Sequence, residues 1–211
     1  MNRIVWDWNG TLLDDLATCN GVLNDMLGKR GIPRVDREKY REIFTFPVSD
    51  YYRTAGFDFE KEPFPALAEE YMELYDAREP LCPIHGGLIP LIGELQKAGY
   101  RQEILSATRK EELQAQVEKR GIRRYFDEVS GTGTILAHGK SELAREWAEK
   151  HAGEEGGLWF VGDTPHDAEV ARIMGATPLL VSWGHVSRKR LLALGGPVFD
   201  TPGELRAFWG L

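Results

Sequence analysis

Apolar residues in this chain come in short runs that stop abruptly on polar or glycine positions. Segments 3–8, 102–107, 128–131, 158–162 and 178–183 read as strands, with a further one at 197–199. Runs of this length, bounded by turn residues, suit buried strands better than helices. Helical periodicity fills the gaps between the later ones. Segment 87–98 sets Leu88, Leu91, Ile92 and Leu95 on one stripe. Segment 109–120 follows Thr108, a natural N-cap. Segment 140–151 carries Leu143, Ala144 and Trp147, and 164–174 carries Ala168, Val170, Ala171 and Met174. Strands alternating with such helices predict an α/β fold, a doubly wound parallel sheet with helices on both faces.

Segment 14–83 breaks this alternation and holds no convincing strand. Asp14-Asp15 opens a helix bearing Leu16, Leu23, Met26 and Leu27, which stops at residues 28–31. Segments 36–44, 48–55 and 65–77 read as three more helices, and Pro80, Cys82 and Pro83 mark the return. The chain therefore divides into an α/β core of residues 1–13 and 84–211 and an inserted all-helical cap of residues 14–83. Trp6 and Trp8 flank Asp7 and are expected to face different layers; of the two, Trp8 is the one to border the crevice, with core packing the stronger expectation for it. Phe46, Tyr51 and Tyr52 either line the cap over a substrate or pack cap against core.

Composition narrows the function. A net charge of −7 with no basic stripe argues against nucleic acid and anionic membranes as partners. No apolar run approaches the ~20 residues of a membrane span. Cys19 and Cys82 give neither a disulfide framework nor a metal spacing, and the first strand begins without a signal peptide. A cytoplasmic protein, monomer or homodimer, is expected.

Four polar positions recur at the carboxyl ends of strands or just beyond. They are Asp7, before the turn Asn9-Gly10-Thr11-Leu12; Ser106, with Ala107 and Thr108; Lys140, after Gly139; and Asp163, in Gly162-Asp163-Thr164-Pro165-His166-Asp167. The ligand crevice of an open α/β sheet lies at that edge. Two acids, a hydroxyl and a lysine converging there suit an anionic substrate held with a divalent cation. His85, His138 and His185 show no metal spacing and are assigned no role.

These residues, in this order, resemble the haloacid dehalogenase superfamily, in the branch with a helical cap after strand one. The cap stretch Phe46-Pro47-Val48-Ser49-Asp50-Tyr51-Tyr52 is similar to relatives of phosphoglycolate phosphatase. The resemblance implies a Mg²⁺-dependent phosphatase acting on a small phosphorylated metabolite. Asp7 would be the nucleophile and form an aspartyl-phosphate. Mg²⁺ would be held by Asp7, the Asn9 carbonyl and Asp163, with Asp167 one shell out, orienting water or Lys140. Lys140 would offset charge on the transferring group, while Gly10, Thr11, Ser106 and Ala107 would hold phosphate oxygens.

Position 9 departs from the pattern. Phosphatases of this family usually carry an Asp there that protonates the leaving alcohol and then deprotonates the attacking water. The Asn9 amide does neither, a loss worth ~10²–10⁴ in rate. Three readings follow: substrates whose leaving group needs little protonation, such as acyl or aryl phosphates; a proton from another residue, with His166 nearest; or a non-catalytic phosphate-ligand binding protein. The turn is also close to that of phosphonate-cleaving relatives, which need a cap lysine; Lys29, Lys39 and Lys61 match no motif.

Overall fold

Strand β1 (Arg3–Trp6) is buried along its whole length at the centre of a six-stranded parallel sheet. The computed structural model describes residues 2–133 and 138–211, the side chain of His138 excepted. The other strands are β2 (Arg101–Arg109), β3 (Glu128–Thr132), β4 (Leu158–Gly162), β5 (Thr177–Val181) and β6 (Val198–Phe199), in spatial order β3-β2-β1-β4-β5-β6. Trp6 is in register with Ile104 of β2 and Val161 of β4, so the two halves of the sheet diverge from β1. Strand order reverses there, and the crevice of such a sheet opens at the strands' carboxyl ends.

The apolar runs are continuous because both faces are covered. Ile4 and Trp6 join a core with α5 (Leu88–Lys97), α6 (Lys110–Lys119) and α10 (Pro202–Phe208). Val5 faces the other way, into a core with Ala144 and Trp147 of α7 (His138–Lys150) and Val170 and Met174 of α8 (Pro165–Met174). Trp8 packs in the same core as Trp6, against the expectation of different layers. Residues two apart in an extended chain share a face; Asp7, between them, is the one turned away. Thr108 is not the N-cap of α6 either. Strand β2 continues through it to Arg109, which precedes the helix without a side-chain cap bond.

Four helices lie between β1 and α5: α1 (Leu16–Lys29), α2 (Arg37–Ile43), α3 (Val48–Ala55) and α4 (Phe64–Asp76). They bury a core of their own around Leu23, Met26 and Leu27, together with Tyr40, Tyr51 and Tyr52. Asp36 caps α2 through the Lys39 amide, 2.7 Å away. The two crossings between this cap and the sheet run side by side. The Asp14 N–H donates to the Pro83 carbonyl (2.9 Å) and the His85 N–H to that of Leu12 (3.0 Å). Arg120 holds the returning segment through the Cys82 carbonyl (2.8 Å) and the Glu79 carboxylate (2.7 Å). The cap also docks beyond the end of β5, where Arg190 of α9 (Arg188–Leu192) donates to the carbonyls of Arg41 (2.9 Å) and Phe44 (2.7 Å). Among the described residues no helix is long and apolar enough to cross a membrane.

Met26 is fully buried in the cap core. Met26→Ala is expected to destabilise the protein by about 2–5 kcal/mol through lost burial and a residual cavity. Denaturant unfolding followed by tyrosine fluorescence measures it. A loss under about 1 kcal/mol would show that the cap core collapses around the gap.

Candidate active site

The turn after β1 determines where its carboxylate points. The amides of Leu12 and Leu13 both donate to the Trp8 carbonyl at 2.9 Å, which folds the chain back sharply. Gly10 takes φ +74° there, and a Cβ on it would collide with the His185 ring and the Asp163 carboxylate. Glycine is therefore required twice over, by conformation and by space.

Three buried carboxylates meet at this edge. One oxygen each from Asp7, Asp163 and Asp167 lies within 4.8 Å of the others. Lys140, from the start of α7, donates to Asp7 Oδ1 and, at 2.6 Å, to Asp167 Oδ1. The other Asp167 oxygen accepts from the Thr164 N–H (2.9 Å) and hydroxyl (2.7 Å), closing a capping box at the head of α8. Asp163 accepts from the Thr11 hydroxyl (2.9 Å) and the His185 N–H (2.6 Å).

Burial, then the neighbouring Asp167 carboxylate, pushes Asp7 up to about 8 against the pull of Lys140. Burial likewise lifts Asp163 to about 6 against the pull of His185. Burial also acts to raise Asp167, but Lys140 outweighs it and holds that carboxyl below its ordinary value. Lys140 is itself held above its ordinary value: burial opposes its charge, and Asp167 and Asp7 outweigh burial. The site thus gathers more carboxylate than one lysine offsets. With oxygen donors only, it fits a hard divalent cation.

Asn9 faces the cap. Its Nδ2 donates to Asp15 Oδ2 (2.9 Å) and to the Tyr75 hydroxyl (2.8 Å), while its Oδ1 accepts from the Thr108 hydroxyl (2.8 Å). Asp15, also buried, accepts from the Gly10 N–H (2.9 Å), the Tyr75 hydroxyl (2.8 Å) and His185 Nε2 (3.1 Å). Burial opposes the charge on Asp15, yet His185 holds it down to about 2. Burial equally opposes the charge on His185, and Asp15 holds it up to about 9. A carboxylate thus lies within hydrogen-bond distance of the residue that lacks one.

The other positions named from sequence are distributed as follows. The Ser106 hydroxyl donates to the Thr108 hydroxyl and accepts from the Thr108 N–H, both at 3.1 Å. The Ala107 carbonyl accepts from the Thr132 hydroxyl. His166 stands apart, its ring against Phe46 (5.4 Å between centroids) and its Nδ1 3.4 Å from Glu169. Tyr51 and Tyr52 lie in the cap core. Lys29 pairs with Glu70 and Lys61 with Asp58 on the surface, and Lys39 is exposed. Asp15 and His185, with Tyr40 and Tyr75 that bond to them, are residues that sequence reasoning missed. Asp15 reads as a helix opener, and it does precede α1, but its side chain makes no cap bond. His185 follows β5 at the same sheet edge as the other site residues, which was the available signal.

Residues 4–181 match the family described as haloacid dehalogenase-like hydrolase, and the chain belongs to it. Among curated proteins it is 25% identical over 206 residues to phosphoglycolate phosphatase of Synechococcus elongatus, covering 97% of this chain and 95% of that protein. It is 24% identical over 192 residues to tyrosine-protein kinase PtkA of Mycobacterium tuberculosis, covering 86% of this chain but only 62% of that protein. Among solved structures, a haloacid dehalogenase-like family hydrolase of Streptococcus pneumoniae superposes with a TM-score of 0.83 at 21% identity, over 99% of this chain and 98% of that one. That likeness establishes the fold.

The Asp15–His185 pair imposes a pH dependence on stability. His185 is raised from 6.5, so its contribution is complete below pH 6.5 and is lost as the pH climbs through about 9. Asp15 is depressed from 3.8, so its contribution is present above pH 3.8 and is lost as the pH falls through about 2. His185→Gln strands Asp15 and is expected to cost on the order of 3 kcal/mol at about pH 6. The gap from wild type should narrow as the pH passes about 9. Denaturant melts across that range measure it, and a gap independent of pH would mean that His185 is neutral.

Proposed function

We propose that the protein is a Mg²⁺-dependent phosphatase that hydrolyses a small phosphorylated metabolite through an aspartyl-phosphate on Asp7. The observation that carries this reading is the buried Asp7 carboxylate, paired with Lys140 and within reach of Asp163. Relatives named phosphoglycolate phosphatase support it. Mg²⁺ held by Asp7, the Asn9 carbonyl and Asp163 would supply charge stabilisation of the phosphoryl group.

The remaining chemistry belongs to the chain. An Asp7 oxygen attacks phosphorus, the bond to the leaving oxygen breaks, and water then cleaves the aspartyl-phosphate to return Asp7 and inorganic phosphate. Lys140 stays charged and offsets the negative charge of the transferring group, while Asp167 orients it. The amides of the two turns and the Ser106 hydroxyl, once turned from Thr108, would supply donors to phosphate oxygens, while the Thr11 hydroxyl is spent on Asp163. The Asn9 side chain, committed to Asp15, Tyr75 and Thr108, gives the leaving oxygen no proton. Acyl and aryl phosphates, whose leaving groups need little protonation, are the substrates that fit this arrangement. The same complete anion site without turnover would make a phosphate-ligand binding protein, and the placement of the cap lysines lends phosphonate cleavage no support.

The test exchanges two residues. Asn9→Asp alone would set two carboxylates in contact. Asn9→Asp with Asp15→Asn reverses the hydrogen bond between them and keeps the net charge. The exchange variant is expected to raise turnover of alkyl phosphates by ~10²-fold, the lower end of the general acid–base range, and of acetyl phosphate by less. Asp7→Asn should abolish both. Phosphate release in Mg²⁺ measures these rates. Phosphate binding without release by any form would replace the enzyme reading with the binding-protein one.

A further inference from the structure

A second group of metal-ligating side chains lies at the seam between cap and sheet. Asp15 immediately precedes α1 and Cys19 lies on its first turn, a separation of four that places two side chains on one helical face. His185 reaches them from the loop after β5. Its Nε2 is 3.1 Å from Asp15 Oδ1, and Cys19 Sγ is 3.5 Å from Asp15 Oδ2. One ligand atom from each residue lies within 4.8 Å of the other two, and all three residues are buried. A tetrahedral Zn²⁺ with bonds of about 2.0–2.3 Å needs ligand atoms roughly 3–4 Å apart. The triad needs only a small contraction to enclose one.

The surroundings suit a metal-bound imidazole. The Tyr40 hydroxyl holds His185 Nδ1 at 3.0 Å, leaving Nε2 directed at Asp15. A ligating histidine is ordinarily held in this way through its second nitrogen. Tyr51, 2% exposed, packs edge-on against Tyr40 and helps hold it in place. The donor set of one nitrogen, one sulfur and one oxygen is softer than the all-oxygen set of Asp7 and Asp163.

We propose that Asp15, Cys19 and His185 form a second cation site, for Zn²⁺ or a cation of similar softness, whose occupation holds the cap shut and stops turnover. The thiol proton and the Nε2 proton leave to solvent as the metal bonds form. A dication thus replaces two protons, and the net charge of the buried chamber does not change. Asp15 and Cys19 belong to the cap side and His185 to the sheet side, so one ion ties the two together. It also draws Asp15 from Asn9 and from the Gly10 N–H, at the base of the nucleophile turn.

Binding stands apart from the phosphatase reading; only the effect on turnover rests on it, so the two are measured separately. Co²⁺ is titrated into the full chain in excess Mg²⁺ while absorption is recorded. One Co²⁺ per chain is expected, with a thiolate-to-cobalt charge-transfer band. Cys19→Ser should remove the band and Asp163→Asn should leave it. Tyr40→Phe should keep the band but weaken Co²⁺ binding by ~10–100-fold, the loss typical of an orienting partner. A spectrum of oxygen donors alone that Asp163→Asn abolishes would overturn the site, as would a band that survives Cys19→Ser. For closure, hydrogen exchange near Arg41 and Val186 should slow with Zn²⁺ in wild type but not in Cys19→Ser. Unchanged exchange with the ion bound would overturn the claim that it holds the cap. Zn²⁺ should stop phosphate release in wild type and spare Cys19→Ser. Absence of any release in Mg²⁺ would count against the phosphatase reading while leaving the Co²⁺ result intact.

Discussion

Three carboxylates and one ammonium share the buried volume at the end of β1, and the rest of the site answers to that imbalance. Lys140 bridges Asp7 and Asp167 and leaves Asp163 to the Thr11 hydroxyl and the His185 amide. Burial, and after it the neighbouring Asp167 carboxylate, holds Asp7 near 8 instead of in the usual carboxylate range. A divalent cation bound at the oxygen edge would offset this penalty. The fold's contribution is to keep the carboxylates there regardless, by anchoring them on three separate elements: the end of β1, the end of β4 and the first turn of α8.

A second electrostatic unit adjoins the first. Asp15 and His185 form a buried ion pair whose carboxylate also receives the Asn9 amide and the Gly10 N–H. This gives a physical reason for an amide at position 9. An acid there would face Asp15 across 2.9 Å with no donor between them. The residue types at 9 and 15 are thus one choice made jointly, and reading position 9 alone misstates it.

Most of the fold was legible because its signals are local. The apolar runs of β1, β4 and β5 and the stripes of α5 and α8 each announce one element, and their alternation announces the sheet. Asp7, Lys140, Asp163 and Asp167 were legible because each stands beside such an element at the same edge. The reach of Asp15 back to the turn was not, because nothing in the local pattern separates a carboxylate that caps α1 from one that faces Gly10. His185 and Tyr40 were hidden for a related reason: their meeting joins residues 145 apart, one on each side of the seam. The misplacement of Trp8 has a simpler origin, since the two-residue period of an extended chain already puts it with Trp6.

The paired crossings between cap and sheet have a topological consequence. The chain leaves the sheet at Leu13 and returns at Ile84, and these two residues bridge each other. To the sheet, the whole four-helix cap is therefore closed off like a single tight turn. The cap core and the main sheet core stay separate clusters at this neck and are joined elsewhere through Phe44, so helix positions away from Phe44, Tyr40 and Tyr75 can vary while the strand ends stay in place. Such a plan lets one catalytic frame serve many molecular shapes, with the inserted helices read as interchangeable headgear over a constant base.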